Sequence, residues 1–283
     1  MKFSESASTG LSGLDEIIQP LRLGDNVVWQ VDDIKSYRHY VKPFVLNALR
    51  EKRKLIYIRF ANHPPLVSDK EAKVYELDAS LGFESFSKAV HEIIAREGIG
   101  AFYVFDCLSD LLSDWATDLM IGNFFMVTCP YLFRLETVAY FALYRSHHSF
   151  KTIARIRETT QLLLDVFDFE RNYYIQPLKV WNRYSPTMFL PHIEEKDKFV
   201  PISSSVDAAR LLSYISRKGA ESVERNLDYW DRLFLEAQEL AKKGGAQVEK
   251  QKMLERLNKI MLGREARMLS LIKNYLSLED LLE

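Results

Sequence analysis

Short, continuous apolar segments alternate with helix-like segments through the first half of this chain. Residues 26–31, 55–60 and 101–106 are rich in Val, Ile and aromatic side chains. Strands that are apolar at every position are typical of a parallel sheet, because helices cover both of its faces. Apolar residues recur at helical spacing between these runs, over about 37–51 and 83–97. The sequence therefore predicts an α/β fold, with a mostly parallel sheet flanked by helices.

The second half of the chain predicts an antiparallel edge to this sheet. Residues 137–143 are typical of another central strand, and a helix is predicted over 149–160. Residues 162–167 and 172–180 follow with the alternation of antiparallel strands, and 188–193 are a further strand candidate. Because these strand patterns have no helix between them, we expect hairpin-like pairing on one side of the parallel centre.

The composition changes after Pro201. From there onwards no strand pattern occurs, and the residues are mainly Leu, Glu, Lys, Arg and Ala. We expect two or three helices with a break near Gly219, and an apolar stripe over 227–240 that packs on the first domain or on a partner. The sequence thus predicts a domain over residues 1–202 and a helical extension or linker over residues 203–283.

Composition excludes several classes of protein. The chain has 283 residues, of which 47% are hydrophobic and 27% charged, and this supports a sizeable core. Its net charge of -1 gives no global attraction to nucleic acid or to a membrane. No apolar run approaches the roughly 20 residues that span a bilayer, and residues 1–5 lack the apolar segment that is typical of a signal peptide. Cys107 and Cys129 lie in apolar surroundings, which favours reduced thiols and a cytoplasmic location.

The connection after the first predicted strand contains no glycine. Strand, loop, helix and strand over residues 26–60 have the layout of a phosphate-binding unit. Its loop, Gly-x4-Gly-Lys-Ser/Thr, turns backbone N–H groups towards phosphate oxygens. Residues 32–36 are instead Asp-Asp-Ile-Lys-Ser, which is too short for that loop and carries two carboxylates that would repel a triphosphate. Lys35 and Ser36 still match its last two positions and are candidates for a residual phosphate contact.

Two motifs resemble the KaiC-like branch of the RecA-like ATPases. Residues 9–15 are Thr-Gly-Leu-Ser-Gly-Leu-Asp and match the Thr-Gly-x-x-Gly-Leu-Asp motif that precedes the first core strand of that branch. Residues 102–106, Phe-Tyr-Val-Phe-Asp, resemble its Walker B strand, with Asp106 at the position of the metal-side carboxylate. The resemblance covers residues 8–202. It implies a RecA-like sheet, ATP with Mg²⁺ as the ligand of the family, and surfaces for homo-oligomer formation.

Departures from the pattern of this family predict that catalysis is lost. Many KaiC-like ATPases place acidic residues after the second strand to activate the attacking water, but residues 58–65 contain none. His63 in that segment can act as a base, although a histidine before two prolines is also typical of a structural position. The implied function is a pseudo-ATPase, a non-catalytic regulatory or assembly module. The alternative is a protein that still binds ATP weakly through Lys35, Ser36 and Asp106.

The end of the chain has a second, shorter resemblance. Residues 262–268 and 272–282 resemble the helical segment that leads into the ATP-grasp module of phosphoenolpyruvate synthase and pyruvate phosphate dikinase-like proteins. Some large members of that group carry a degenerate KaiC-like region ahead of this module. The resemblance implies a downstream phosphotransferase module as the protein partner. Any phosphotransferase activity would then reside beyond residue 283.

Two other groups of residues allow a functional and a structural interpretation. His147 and His148 are adjacent, so their side chains diverge, and no Cys or carboxylate stands at ligand spacing beside them; no metal site is predicted. Basic residues occur on one predicted helix and just before it: Arg145, Lys151, Arg155 and Arg157. They fit surface ion pairs or subunit contacts, and nucleic-acid binding in the manner of recombinases is the alternative.

Aromatic residues cluster near two basic residues in the predicted edge strands. The aromatic members are Tyr173, Tyr174, Trp181 and Tyr184, and the basic members are Lys179 and Arg183. Such a group can stack on bases, but half-buried edge strands also favour aromatic side chains. Because the net charge gives no support to a nucleic-acid partner, the structural interpretation is preferred.

Overall fold

The computed structural model describes residues 6–115, 117–196 and 198–225. A short two-stranded sheet pairs β1 (Ser6–Ala7) with β2 (Leu21–Arg22). The main sheet is formed by β3 (Asn26–Val31), β4 (Leu55–Arg59), β5 (Lys73–Glu76), β6 (Phe102–Cys107), β7 (Val138–Tyr144), β8 (Leu162–Phe169), β9 (Asn172–Val180), β10 (His192–Glu195) and β11 (Lys198–Pro201). The helices are α1 (Ser12–Ile18), α2 (Ile34–Arg50), α3 (Phe83–Glu97), α4 (Leu119–Arg134), α5 (Phe150–Thr159) and α6 (Ser205–Arg225). None of these helices has the length and apolar content needed to cross a membrane.

The main sheet has a parallel centre and an antiparallel edge. Its strand order is β11-β10-β9-β8-β3-β7-β6-β4-β5. Strands β8, β3, β7, β6, β4 and β5 run parallel, whereas β9, β10 and β11 pair antiparallel beyond β8. The predicted α/β class with an antiparallel edge and a helical extension is therefore confirmed.

Aromatic stacking fills the core between the sheet and α2. Trp29 of β3 stacks on Tyr40 with ring centroids 4.6 Å apart, and Phe44 stacks on Tyr140 at 4.0 Å. On the opposite face α3, α4 and α5 cover a second cluster that includes Phe86 and Phe124. Each fully buried large apolar side chain contributes about 1.5–3 kcal/mol. The two clusters explain why the central strands are apolar on both faces at most positions.

Two predicted boundaries are wrong. Helix α2 begins at Ile34 rather than near residue 37, because Asp33 caps it three residues earlier, and Pro43 lies inside the helix rather than in its first turn. The strand predicted over 188–193 is found at His192–Glu195, where it pairs with β9 and β11. Met188 instead lies in the preceding turn and is fully buried. Its apolar character reflects burial in that turn, not a position in a strand.

The described part of the C-terminal extension is one helix that packs beside the end of β8. Helix α6 continues past Gly219, so the predicted break there is wrong. The hydroxyl of Tyr214 donates to the carbonyl of Asp168 at 2.7 Å, and its ring lies 4.5 Å from that of Phe169. The apolar stripe over 227–240 and the segments resembling a phosphotransferase lead-in, 262–268 and 272–282, lie outside the described residues. The division into two units stays a prediction.

Candidate functional site

The carboxyl ends of the parallel strands bring several charged and polar side chains to one edge of the sheet. Asp32 and Asp33 follow β3, Arg145 follows β7, and residues 60–63 follow β4, while Asp106 is the second-to-last residue of β6. Ligands of open α/β sheets bind at this edge. The contacts of these side chains therefore decide what the site can bind.

Asp33 closes the N-terminus of α2. Its backbone is extended, and its carboxylate accepts hydrogen bonds from the backbone N–H of Ser36 at 2.8 Å and from the Ser36 hydroxyl at 3.0 Å. Only two residues separate Val31, the last residue of β3, from Ile34, the first of α2. The first N–H groups of a helix lack partners within the helix, and a phosphate or a capping carboxylate can accept from them. Here a side chain of the protein takes that position.

Arg145 ties the segment after β3 to the neighbouring strand β8. Its Nε lies 2.9 Å from Asp32 Oδ1, and its two Nη groups donate to the Asp165 carboxylate and to the Val166 carbonyl. The guanidinium also lies 3.9 Å from the centre of the Phe167 ring. Burial raises the pKa of Asp165 to about 6 against the opposing effect of Arg145, and the nearby Asp32 adds to the rise. A charged, desolvated network thus fills the space beside the shortened loop.

Asp106 is fully buried and hydrogen-bonded on both oxygens. The hydroxyl of Tyr57 donates to Oδ1, and the backbone N–H groups of Phe60 and Ala61 each donate to Oδ2 at 3.0 Å. Burial raises the pKa of Tyr57 well above its usual range, and the Asp106 charge adds to that rise, so the hydroxyl remains a donor. In this arrangement Asp106 anchors the segment after β4 to β6.

A small polar cavity lies beside this anchor. It has a volume of about 310 Å³ and is lined by residues that include His63, Asp110, Ser109 and Tyr144. His63 is 9% exposed, and its Nε2 lies 3.4 Å from Asp106 Oδ1 and 4.0 Å from Asp110 Oδ2. Burial raises the pKa of Asp110, although His63 opposes this effect. The histidine is therefore held between two carboxylates rather than at the protein surface.

The adjacent histidines point to different surroundings. His148 Nε2 lies 2.7 Å from the hydroxyl of Ser109, and burial lowers the pKa of His148 to about 4, so the ring is neutral at physiological pH. His147 is exposed, and its Nδ1 lies 2.9 Å from the Arg145 carbonyl oxygen. Within the described ranges no group of three or more His, Cys, Asp or Glu side chains is arranged to hold a metal ion.

The three candidate phosphate and metal contacts face separate environments. Ser36 is buried and bonded to Asp33, and Asp106 is bonded to the segment after β4. Lys35 is exposed and lines a groove on the outer side of α2 together with Gly10. The structure therefore does not gather Lys35, Ser36 and Asp106 around one space, and whether they still hold a nucleotide stays a prediction.

The N-terminal Thr-Gly-x-x-Gly-Leu-Asp motif forms a compact turn. Asp15 Oδ1 accepts from the Thr9 backbone N–H at 2.9 Å and from its hydroxyl at 2.8 Å. Gly10 has φ +83°, and a Cβ there would lie 2.2 Å from the Pro43 carbonyl oxygen. Only glycine fits this close approach. The motif thus fixes the entry to the first core strand against α2.

The basic and aromatic residues weighed for nucleic-acid binding make contacts within the chain. Arg155 donates to Asn123 at 2.7 Å, and Arg157 donates to the Leu178 carbonyl at 3.0 Å. Arg183 is buried and forms a two-oxygen contact with Asp25 at 2.7 and 2.8 Å. These guanidinium groups stabilise the fold. Tyr173 stacks on His39 at 4.3 Å, while Trp181 and Tyr184 are exposed.

Sequence patterns missed the partners of Arg145. One signal was present: Asp165 is the single charged residue within the apolar run 162–167. A buried carboxylate needs a partner, so a lone Asp in a buried strand predicts a neighbouring Arg or Lys. Which basic residue pairs with it depends on β3 lying between β7 and β8, and the sequence does not show that order.

The fold is similar to that of known KaiC-like proteins. The crystal structure of a KaiC-like protein from the hyperthermophilic archaeon Pyrococcus horikoshii OT3 superposes with a TM-score of 0.53. The two sequences are 12% identical, and the match covers 69% of this chain and 98% of that chain. At this identity the likeness shows the fold alone, and at that level it confirms the predicted RecA-like architecture. No protein-family model matches the sequence, and no curated protein matches it.

Proposed function

We propose that this chain is a non-catalytic RecA-like module, a pseudo-ATPase that acts through protein contacts. The observation that carries the proposal is the carboxylate of Asp33, which accepts from Ser36 at the N-terminus of α2. A P-loop protein offers this helix end to the phosphates of its nucleotide. With a carboxylate already bound there, a phosphate would meet a negative charge instead of open N–H groups.

The electrostatics of the neighbouring segment support the same conclusion. Asp32 and Asp33 stand side by side where a P-loop holds only neutral backbone and one lysine. Arg145 is engaged by Asp32 and Asp165, so it is not available to offset the charge of a triphosphate. Bringing three or four phosphate charges next to Asp33 costs several kcal/mol at the effective dielectric of a protein surface.

The contacts of Asp106 also oppose metal-dependent hydrolysis. In phosphoryl transfer, Mg²⁺ held by a strand-end carboxylate neutralises charge that develops on the phosphate. Asp106 would have to give up the Tyr57 hydroxyl or the N–H groups of Phe60 and Ala61 to reach such an ion. Those donors would then be buried without an acceptor, at about 1–3 kcal/mol each. Together with the capped helix, this favours a protein without ATP turnover.

Isothermal titration of the full chain with ATP and Mg²⁺ tests the proposal. We expect no binding tighter than millimolar, and the same result for Lys35→Ala. Micromolar binding that Lys35→Ala abolishes would overturn the proposal in favour of a nucleotide-binding protein that uses Lys35, Ser36 and Asp106. A thermal unfolding midpoint that rises with MgATP would lead to the same revision.

The partner and the assembly state belong to this proposal as well. The sequence of residues 262–282 supports association with a phosphoenolpyruvate synthase-like phosphotransferase in the cytoplasm, and the RecA-like fold supports self-association. Analytical ultracentrifugation of the chain, alone and with a purified ATP-grasp module of that class, measures both. If the chain is strictly monomeric and does not sediment with the module, self-association and the phosphotransferase partner are both excluded. The conclusion from the ATP titration is not affected by that result.

A further inference from the structure

A groove of about 760 Å³ runs along the outer side of α2, away from the strand-end site. Its walls are the outer face of the helix, the N-terminal turn at Gly10 and Tyr173 of β9. The close packing of Gly10 on the Pro43 carbonyl fixes this turn beside the helix. The groove is therefore lined by a helix, a closely packed turn and a strand.

Basic side chains line the groove from end to end. The helix contributes Lys35, Arg38, His39, Lys42 and Arg50. Positions 35, 39, 42, 46 and 50 follow one another at three- and four-residue spacing and thus share one helix face. At 1.5 Å per residue, the stripe is about 22 Å long.

Three basic side chains of this stripe form no ion pair with a described carboxylate. In the part of the chain that the structure describes, no carboxylate lies within 4.0 Å of Lys35, Lys42 or Arg50, whereas His39 pairs with Glu194 at 2.9 Å. The carboxylate nearby, Glu71, has its pKa lowered mainly by hydrogen bonds from Ser68, and Lys42 has only a smaller effect on it. Like charges on one helix face repel one another, so an anionic partner would stabilise the stripe.

Apolar surface separates the basic groups. Leu46 is 52% exposed in the middle of the stripe, and Leu11 and Pro43 line the groove beside it. Single-stranded nucleic acid is bound by aromatic platforms combined with basic groups. Here the exposed apolar side chains are aliphatic, the Tyr173 ring is already stacked on His39, and the whole chain carries a net charge of -1. The combination of Lys, Arg and Leu fits an amphipathic acidic peptide better.

We propose that this groove binds an acidic, leucine-containing segment of a protein partner. The carboxylates of the segment would pair with Lys35, Lys42 and Arg50, and its apolar side chains would cover Leu46. The inference supplies the partner chemistry of the interaction module proposed above and rests on that function for its biological role. Peptide binding and nucleotide binding are measured separately, so failure of one is distinguishable from failure of the other.

Fluorescence anisotropy of the full chain with a labelled 12-residue peptide, three repeats of Glu-Leu-Leu-Glu, tests the charge contacts. We expect saturable binding at 50 mM salt that weakens as salt is raised. Lys35→Gln combined with Lys42→Gln should weaken binding about fivefold, because two exposed ion pairs, each of modest strength, are lost. The control pair Lys88→Gln and Lys151→Gln removes the same charge from α3 and α5 and should leave the affinity unchanged. No binding at 1 mM peptide, or equal effects of both pairs, would overturn the proposal.

A second comparison tests the class of ligand. Leu46→Ser should weaken peptide binding about threefold, whereas Leu81→Ser, at another exposed leucine, should not. A peptide with Lys in place of Glu should not bind. A 12-residue oligothymidine that binds more tightly than the acidic peptide and is insensitive to Leu46→Ser would overturn the proposal in favour of nucleic acid.

Discussion

The carboxylate of Asp33 accepts two hydrogen bonds from Ser36, one from its backbone N–H and one from its hydroxyl. This contact lets a strand and a helix of a RecA-like sheet join through two residues, Asp32 and Asp33, instead of a glycine-rich loop. The same contact satisfies the helix end that a nucleotide would otherwise occupy. In the proposed pseudo-ATPase, the contact that stabilises the start of α2 is therefore also the one that excludes a phosphate.

Replacement of Asp33 tests its role as a helix cap. Asp33→Ala should lower the free energy of unfolding by about 1 kcal/mol, because loss of a capping side chain typically costs 0.5–2 kcal/mol. Asp33→Asn keeps an acceptor oxygen and should cost much less. Urea denaturation of the two variants measures the difference. If both substitutions destabilise the protein equally, the negative charge and not the hydrogen bonds stabilises α2.

Substitution of Asp106 distinguishes a structural role of its carboxylate from a catalytic one. Asp106→Asn should lower the free energy of unfolding by roughly 2–4 kcal/mol, because an amide cannot accept from Tyr57, Phe60 and Ala61 as a carboxylate does. The thermal unfolding midpoint of both proteins should be unaffected by MgATP. Asp114→Asn, at an exposed carboxylate nearby, is the matched control and should be neutral.

The opposite result for Asp106 has a clear meaning. A variant as stable as the parent protein, in which a MgATP-dependent stabilisation of the parent is lost, would assign Asp106 to a metal site. Differential scanning fluorimetry with and without MgATP distinguishes the two outcomes in one experiment.

Acid sensitivity is predicted at Glu97, the last residue of α3. Burial alone would raise the pKa of Glu97, but hydrogen bonds from Lys54, Lys73 and Tyr75 outweigh it and hold the pKa at about 2. A folded-state pKa below the unfolded value of 4.5 stabilises the protein above pH 4.5, and this stabilisation is lost as the pH falls towards 2. Glu97→Gln should cost about 1–2 kcal/mol at pH 7 and progressively less below pH 4.5. Urea denaturation measures the difference in unfolding free energy between the parent protein and Glu97→Gln. A difference that stays constant across this pH range would contradict a lowered pKa at Glu97.

The sequence predicted the sheet well where burial alone decides the pattern. The strands at 26–31, 102–107 and 138–144 are apolar because both faces are covered, and α3 lies over the predicted residues 83–97. Periodicity reports burial directly, so these elements required no knowledge of their neighbours. The absence of a glycine-rich loop was equally visible, since it depends on residue type alone.

The contacts of the site could not be predicted in the same way. The prediction omitted the first turn of α2, which forms because Asp33 caps the helix. The strand lies at His192–Glu195 because it pairs there with β9 and β11. The partners of Asp106 come from the segment after β4, and those of Arg145 from β3 and β8. The contacts of Asp106 and Arg145 join strands whose order in the sheet had to be known first, whereas the Asp33 cap is a local contact of residues three positions apart.

The pairing of Arg145 with Asp165 gives the most stringent test of the site as a structural network. Arg145→Met leaves Asp165 buried without its charged partner, and breaking a buried pair in this way typically costs 3–5 kcal/mol. Asp165→Asn removes the charge but keeps an acceptor, so it should cost less. In the double variant the two costs should not add, and the coupling energy should be on the order of 1–3 kcal/mol. Urea denaturation of the four proteins completes the cycle.

The pH dependence of the unfolding free energies in that cycle shows whether the charge of Asp165 causes the loss of stability. The pKa of Asp165 in the folded protein is about 6, above the usual 3.8, because burial disfavours its charge. The folded state therefore holds the proton more tightly than the unfolded state, and the contribution of this group to stability falls as the pH rises from about 4 to 6. Without Arg145 the charge of Asp165 is less compensated, so Asp165 is protonated more readily. The unfolding free energy that Arg145→Met loses should therefore be smaller at pH 5 than at pH 8. Arg155→Met removes a guanidinium that donates to the neutral side chain of Asn123, so the change in its unfolding free energy should be the same at both pH values. If the loss of stability in Arg145→Met is also equal at pH 5 and pH 8, packing of Arg145 on Phe167, not the ion pair, stabilises the segment after β3.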